Sequence, residues 1–167
     1  KSTRVNLRHI SDGWGGQIHV IFRQYRTNSD WNLAGLVLRS RIQDIERNIF
    51  KNTGGVSVGT SSVFVYITNN IFTGSTNGYA IENWASYGGE NIFVSKNSFL
   101  DVGKVALMLP GGYNSSAITA TNNYWGTTTQ SAIQSMIYDK TNDLSSAGYI
   151  SFLPFLTQPD AATPIYP

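Results

Sequence analysis

Glu82 is the residue of this 167-residue chain whose type and position best suit acid–base chemistry. It follows a short alternating run, Tyr79-Ala80-Ile81, so we expect it to face outward from a strand. Lyases and hydrolases that cleave sugar chains need neighbouring acids, or an acid with a basic partner. The sequence aligns no second acid with Glu82. We therefore keep Glu82 as the one catalytic candidate and favour a non-catalytic function for these residues.

A second group with chemical potential is a set of aromatic residues in segments that the sequence predicts as loops at one corner of the fold. An aromatic face suits the C–H face of a sugar ring, and nearby polar groups can bond its hydroxyls. Two arginines could add attraction for uronates. The alternative is that these rings pack on the protein wall. The predicted carbohydrate-binding residues are Tyr25, Trp31, Trp84, Tyr87, Tyr113, Arg23 and Arg26.

Composition limits the fold that positions these residues. Charged residues make up 13% of the chain, about half the usual share, and long helices need solvated charge on their outer faces. A helical bundle is therefore nearly excluded. The chain has no cysteine, which excludes disulfides and Cys-ligated metals. No apolar run approaches the roughly 20 residues of a membrane span.

Charge is distributed unevenly along the chain. Residues 1–51 carry nine Lys or Arg against four acids, and residues 52–167 carry three against six. The basic part could attract an anionic polymer, although an ordinary solvated surface is the alternative. We expect no nucleic-acid partner, because no Lys/Arg run or recognition motif is present.

A repeated pattern, apolar-x-x-Asn-x-aromatic, predicts the architecture. It places Asn48, Asn70, Asn97 and Asn123 in equivalent positions, each followed two residues later by Phe50, Phe72, Phe99 or Trp125. Short alternating runs flank each copy, and no helix-length segment separates them. Strands that recur at one coil length without crossover helices must stack on their own copies, which is a parallel β-solenoid. We expect the Asn residues in one column and the aromatic residues in the core.

The same stacking predicts which residues face outward from the first strand of each coil. One predicted column contains His19, Ser57, Ala80 and Ala106. The column two residues further along contains Ile21, Gly59, Glu82 and Met108. A second outward pair, Tyr66 and Phe93, lies on the preceding stacked strands.

These coils, ending in Asn122-Asn123-Tyr124-Trp125-Gly126-Thr127, resemble right-handed parallel β-helix proteins of the pectate-lyase-like superfamily. The resemblance covers roughly residues 40–158. It implies an all-β, right-handed parallel β-helix, here of about five coils, and a secreted or cell-surface protein. It says little about activity, because this fold carries lyases, hydrolases, epimerases, adhesins and non-enzymatic proteins. The acid clusters of its lyases and hydrolases cannot be mapped onto this chain.

The sequence predicts three segments. Residues 1–128 form the coils, residues 129–158 form a cap with a short helix and a final strand, and residues 159–167 form a Pro-rich tail or linker. Thr128 or Thr129 can cap the helix, whose apolar face carries Ile133, Met136 and Ile137. The chain opens at Lys1 without a Met, so we expect a processed or truncated piece of a longer protein. An open N-terminal edge would favour end-to-end self-association.

No cofactor is expected. His9 and His19 are better explained as turn or solvent-facing residues than as ligands. The oxygen-rich segment 139–143 leaves calcium as an alternative, but it lacks the alternating ligands and the central Gly of a calcium loop, so a turn is preferred.

Two functional classes remain open. In the first, the chain is a secreted non-catalytic module that binds polysaccharide or surface glycan, or serves a structural or adhesive role. In the second, it is the C-terminal part of a polysaccharide lyase or glycoside hydrolase, with an active site upstream or around Glu82.

Overall fold

The protein is a parallel β-solenoid of about three turns with almost no helix. The computed structural model describes residues 21–27, 30–38, 42–59, 64–84, 91–113 and 115–165. Within these ranges the strands are β1 (Ile21–Thr27), β2 (Asp30–Leu38), β3 (Ile42–Glu46), β4 (Ile49–Lys51), β5 (Val56–Val58), β6 (Phe64–Thr68), β7 (Ile71–Thr73), β8 (Ile81–Asn83), β9 (Asn91–Ser95), β10 (Ser98–Phe99), β11 (Leu107–Met108), β12 (Ala117–Thr119) and β13 (Ile137–Tyr138). One helix, α1 (Gln130–Ser135), precedes β13.

Three sheets form the walls. The first sheet has the order β1-β2-β5-β8-β11-β13, the second β12-β9-β6-β3 and the third β10-β7-β4. From β2 onward every pairing is parallel and joins a strand to its equivalent in the next coil. This arrangement confirms the predicted parallel solenoid.

The prediction of about five coils is wrong. The structure has about three turns, because residues 21–38 form an antiparallel hairpin instead of a coil. Strand β1 pairs with β2 from Ile21↔Val37 to Thr27↔Asp30, and only Leu36–Leu38 continue into the solenoid by pairing with β5. The sequence also offers a degenerate fifth copy of the repeated pattern, Val5-Asn6-Leu7-Arg8-His9-Ile10, which lies outside the described residues.

The interior carries a column of aromatic rings, as predicted. Phe72 stacks between Phe50, at a ring-centroid distance of 4.7 Å, and Phe99, at 5.2 Å. Trp125 extends the column at 4.9 Å from Phe99, and Phe152 closes it edge-on at 6.4 Å. All five side chains are buried. Parallel pairing of equivalent strands therefore converts a sequence repeat into a continuous ring stack.

The predicted asparagine column is also present, at the turn between the second and third sheets. The backbone N–H of Asn70 donates to Oδ1 of Asn97 at 2.9 Å, and the side-chain Nδ2 of Asn70 donates to the same oxygen at 3.0 Å. The same pair of bonds joins Asn48 to Asn70 and Asn97 to Asn123. Each Asn lies at the turn from the second sheet to the third. Pairing between strands cannot satisfy the backbone N–H at this turn, so the Asn side chain of the next coil accepts it.

A left-handed backbone position precedes each rung of this ladder. Arg47, Asn69, Lys96 and Asn122 have φ between 54° and 59°. Asn tolerates this conformation well, whereas Arg and Lys rarely adopt it. The recurrence of one dihedral in four coils shows that the turn geometry is imposed by stacking.

The segment predicted as a C-terminal cap contains the one helix of the described residues, α1. Ile133 and Met136 are fully buried under the last coil, and α1 begins after Thr129 as N-cap, without a side-chain capping bond. Ile137 is buried as well, but it lies in β13, which pairs in parallel with β11. The short helix therefore leads directly into another strand of the first sheet.

The segment predicted as a tail lies against the asparagine turns as far as the structure describes it. Nδ2 of Asn69 donates to Oδ1 of Asp160 at 2.9 Å, and the Thr163 hydroxyl donates to the carbonyl of Lys96 at 2.9 Å. Just before it, the Leu156 N–H donates to the carbonyl of Asn123 at 2.8 Å. The chain from Leu156 to Thr163 thus crosses three successive turns.

Candidate functional site

The site begins with the register of the first sheet, where the predicted outward columns are wrong except that Glu82 and Met108 share one column, as predicted. Ser57 pairs with Glu82, and Glu82 pairs with Met108. Ala80 and Ala106, predicted beside Ser57, are instead buried. The turns that lead from the third sheet to the first differ in length, since the steps from Phe50 to Val56, Phe72 to Ile81 and Phe99 to Leu107 are unequal. Aligning the alternating runs at residues 79–81 and 105–107 with Val56–Val58 therefore places these two strands two residues too early.

A hydrogen-bonded chain runs across the outer face of β5 and β8. The indole N–H of Trp84 donates to Oγ of Ser57 at 2.7 Å, and the Ser57 hydroxyl donates to Oε2 of Glu82 at 3.1 Å. Both strands alternate buried and half-buried residues, which directs Ser57 and Glu82 outward. The backbone N–H of Trp84 donates to the carbonyl of Val58 at 3.1 Å and so continues the ladder past the end of β8.

Tyr79 completes the polar part of the site. Its hydroxyl donates to the Glu82 carboxylate, accepts a hydrogen bond from the Asn77 side chain and lies close to the Ser57 hydroxyl. Burial, followed by the negative charge of Glu82, raises the pKa of Tyr79 to about 12. Tyr79 therefore stays protonated and acts as a hydrogen-bond donor at physiological pH.

Aromatic surface adjoins these polar groups. The ring of Tyr113 lies edge-on to Trp84 at a centroid distance of 6.3 Å and an interplanar angle of 63°. A turn places Tyr113: Gly112 has φ of 85°, and its N–H donates to the carbonyl of Ser145 at 3.0 Å. A Cβ at Gly111 would meet the side chains of Ser145 and Asp143, which would have to move to admit it.

The Trp84 indole lies against Gly59 of the neighbouring coil. A Cβ at Gly59 would come within 2.5 Å of Trp84 Cζ2. Trp84 is half-buried. Part of its ring therefore packs on the outer surface of the solenoid, as in the alternative to ligand binding, and part stays exposed. We define the Trp84 cluster by the six residues that these contacts join: Ser57, Asn77, Tyr79, Glu82, Trp84 and Tyr113.

Four other predicted binding residues lie on the hairpin strands β1 and β2. Arg23, Tyr25 and Arg26 lie on β1, and Trp31 lies near the start of β2. Trp31 precedes Val37, the residue that pairs with Ser57, by six positions, which is about 20 Å along an extended strand. The prediction places these residues in loops, whereas the structure places them in the antiparallel hairpin; their grouping with Trp84 in a binding site stays a prediction. Tyr87 lies outside the described residues.

Tyr66 and Phe93 form the expected outward pair on the second sheet. Their ring centroids are 5.2 Å apart and their planes differ by 14°. Because the two faces meet each other, those faces cannot also stack on a sugar. Tyr66 is 39% exposed, which leaves this pair as a matched control for the Trp84 cluster.

The segment 139–143 forms the turn that was preferred to a calcium loop. The Asp139 carboxylate is buried and accepts the N–H groups of Ile150 and Thr141, each at 2.8 Å. Hydrogen bonds from the hydroxyl and N–H of Ser145 lower the pKa of Asp143. Among the described residues, no three His, Asp or Glu side chains are grouped to hold a metal ion. No helix in the described part of the chain is long and apolar enough to cross a membrane.

The Trp84 cluster can bind hydroxyl groups next to an aromatic surface. A carboxylate has about four acceptor positions, and Ser57 and Tyr79 occupy two of those of Glu82. The others remain for donors on a ligand. Glu82 is the single carboxylate of the cluster, whereas glycoside hydrolysis uses a pair. The arrangement therefore fits recognition better than bond cleavage.

Sequence reasoning missed Ser57 as a partner of Glu82, and it missed Tyr79 altogether. The sequence pattern places Ser57 and Glu82 in different columns, and it places Tyr79 in a strand. The Asn-Gly pair at residues 77–78 was an available signal, because Asn-Gly marks a turn and would have moved the start of β8 to Ile81.

No protein-family model matches this chain, and no match was found among curated proteins or solved structures.

Proposed function

We propose that this chain is a non-catalytic carbohydrate-binding module of a secreted or cell-surface protein, and that the Trp84 cluster is its binding site. We also propose that the solenoid is right-handed and belongs to the pectate-lyase-like superfamily, on the strength of its Asn and aromatic columns. The observation that carries the binding proposal is an aromatic pair, Trp84 and Tyr113, that is linked through the Ser57 hydroxyl to a carboxylate held by two hydroxyl donors.

The ligand would lie across the outer face of the first sheet. The column that begins at Ser57 and Glu82 continues to Met108 and Tyr138 on the next two strands. Neighbouring strands are about 4.8 Å apart, so this column extends roughly 14 Å along the solenoid. A short oligosaccharide has a comparable length. Its ring faces would meet Trp84 or Tyr138, and its hydroxyls would donate to Glu82.

A glycan array followed by titration of the best ligand tests this proposal. We expect Trp84→Ala and Glu82→Gln to weaken binding by about tenfold each, which corresponds to about 1.4 kcal/mol. Trp31→Ala and Tyr66→Ala are the controls, and we expect both to bind normally. Unchanged binding in folded Trp84→Ala and Glu82→Gln variants would reject the site. The lack of any glycan ligand would favour a structural or adhesive role.

The second candidate function is the C-terminal part of a polysaccharide lyase or glycoside hydrolase. The contact that favours it is the Tyr79 hydroxyl on the Glu82 carboxylate, since a protonated phenol beside a base is an acid–base pair. The test is incubation with polysaccharides and measurement of new reducing ends. Cleavage that is lost in both Glu82→Gln and Tyr79→Phe would establish catalysis here, and cleavage that survives both variants would place it elsewhere.

A further inference from the structure

We propose that Asn77 is a site of spontaneous deamidation, which adds a negative charge to the Trp84 cluster. The residues 77–78 are the only Asn-Gly pair in the sequence. Deamidation begins when the backbone nitrogen of the following residue attacks the side-chain amide carbon of Asn. Glycine permits this attack best because it has no side chain to obstruct the nitrogen and the greatest backbone freedom. This inference does not depend on the proposed carbohydrate function.

The local structure leaves the attacking nitrogen accessible. Asn77 and Gly78 are both exposed and lie outside the strands, in the turn that leads to β8. Gly78 has φ of 83°, and no atom lies within 4 Å of the position that its Cβ would occupy. Within the described part of the chain the Gly78 N–H makes no backbone hydrogen bond. Neither a ladder nor packing therefore prevents the nitrogen from approaching Cγ of Asn77.

The chemistry needs only water. The deprotonated Gly78 nitrogen forms a bond to Cγ of Asn77, the Cγ–Nδ2 bond breaks, and ammonia leaves with the proton. The resulting five-membered succinimide is opened by water at either carbonyl. One opening gives aspartate and the other gives isoaspartate, in which the backbone passes through Cγ. The net change is one water consumed and one ammonia released.

The product would place two carboxylates beside one phenol. The Asn77 and Glu82 side chains both hydrogen-bond to the Tyr79 hydroxyl. After deamidation, a carboxylate would replace the amide that now donates to this hydroxyl, and it would face Glu82 at close range. Like charges at this distance destabilise the folded state and disfavour anionic ligands. The proposed ligand-binding surface would thus change with the age of the molecule.

One contact opposes the reaction. The hydrogen bond of the Asn77 side chain to Tyr79 holds the amide in place, and attack requires that this bond open. Tyr79→Phe removes the bond while it keeps the ring. We expect this variant to deamidate at Asn77 faster than the wild-type chain.

The test uses the full chain, incubated at mildly alkaline pH and physiological temperature in isotope-labelled water, then digested and analysed by mass spectrometry. We expect the Asn77 peptide to lose more than half of its unmodified form before the peptides of Asn52 and Asn142 change measurably. Those two residues are also exposed, but Thr53 and Asp143 follow them. The product should carry one labelled oxygen and be a substrate for isoaspartate methyltransferase.

The Asn77→Gln variant is the matched control, since a longer side chain forms the cyclic intermediate poorly and the position is exposed. We expect no modification of this variant. Loss at Asn77 that is no faster than at Asn52 would overturn the proposal. So would an Asn77 that survives in the folded chain while the urea-unfolded chain deamidates, because the fold would then be protecting it.

Discussion

The indole N–H of Trp84 donates a hydrogen bond to the hydroxyl of Ser57 in the preceding coil, at 2.7 Å. The ring that makes this bond also covers Gly59, two residues further along β5's path. One aromatic side chain thereby fixes the relative position of two coils on their outer face. Its orientation depends on the small size of a residue in the neighbouring coil.

Gly59→Ala should displace Trp84 without changing any polar group. The new Cβ would lie 2.5 Å from Trp84 Cζ2, so the ring must move and give up its bond to Ser57. We expect a loss of about 1 kcal/mol in the free energy of unfolding and a shift of the Trp84 indole N–H resonance, identified from Trp84→Phe. Gly148→Ala is the control, because no atom lies within 4 Å of its Cβ position. An unchanged resonance in Gly59→Ala would contradict the contact.

Phe72→Ala should destabilise the protein by roughly 3–5 kcal/mol, because it leaves a cavity in the middle of the ring column. Tyr66→Ala is the matched control. Tyr66 also stacks on a neighbouring ring, but it is 39% exposed, and we expect a loss of about 1 kcal/mol. Urea unfolding of both variants measures the difference. Equal losses would mean that ring stacking, not burial, dominates the stability of the columns.

The asparagine ladder predicts a large cost for Asn97→Ala. The N–H and Nδ2 of Asn70 would lose their acceptor, and the carbonyl of Ile67 would lose its donor. A buried group left unsatisfied costs about 1–3 kcal/mol, so we expect a loss of at least about 3 kcal/mol in unfolding experiments. The exposed Asn142 serves as control, since Asn142→Ala removes one bond to the N–H of Asp139. A loss below about 1 kcal/mol at Asn97 would show that water replaces the ladder.

Stability should fall at alkaline pH because of Tyr79. Its pKa is raised from 10.0 to about 12 in the folded state, so the folded state keeps the phenolic proton where the unfolded state loses it. The contribution of Tyr79 to the free energy of unfolding is complete below pH 10 and disappears as the pH rises toward 12. We expect Tyr79→Phe to lose less stability over this range than the wild type or Tyr149→Phe, a change at an exposed tyrosine. Thermal unfolding from pH 9 to 12 measures this; parallel curves for Tyr79→Phe and wild type would contradict it.

A structural feature could be predicted from the sequence where the same residue type repeats in every coil. The Asn70 and Phe72 columns were predictable because one residue type recurs at one position of every coil. The Ser57–Glu82 pairing was not, because turns of unequal length separate the aromatic residue from the following strand. The position of Trp31 was not predictable either, since antiparallel pairing of β1 with β2 has no counterpart in the repeat.

The path of the C-terminal segment affects how the molecule yields to force. Coils of a solenoid contact only their neighbours, so pulling on one end would peel them away singly. Here Asp160 and Thr163 are bonded to the turns of Asn69 and Lys96, in coils that precede the last one. A force applied at the C-terminus would therefore act first on the inner coils. It would load the hydrogen bonds of Asp160 and Thr163 in shear, along the solenoid axis. The last coil could then detach only after these bonds break. Several coils would therefore contribute to the resistance of this end to mechanical unfolding.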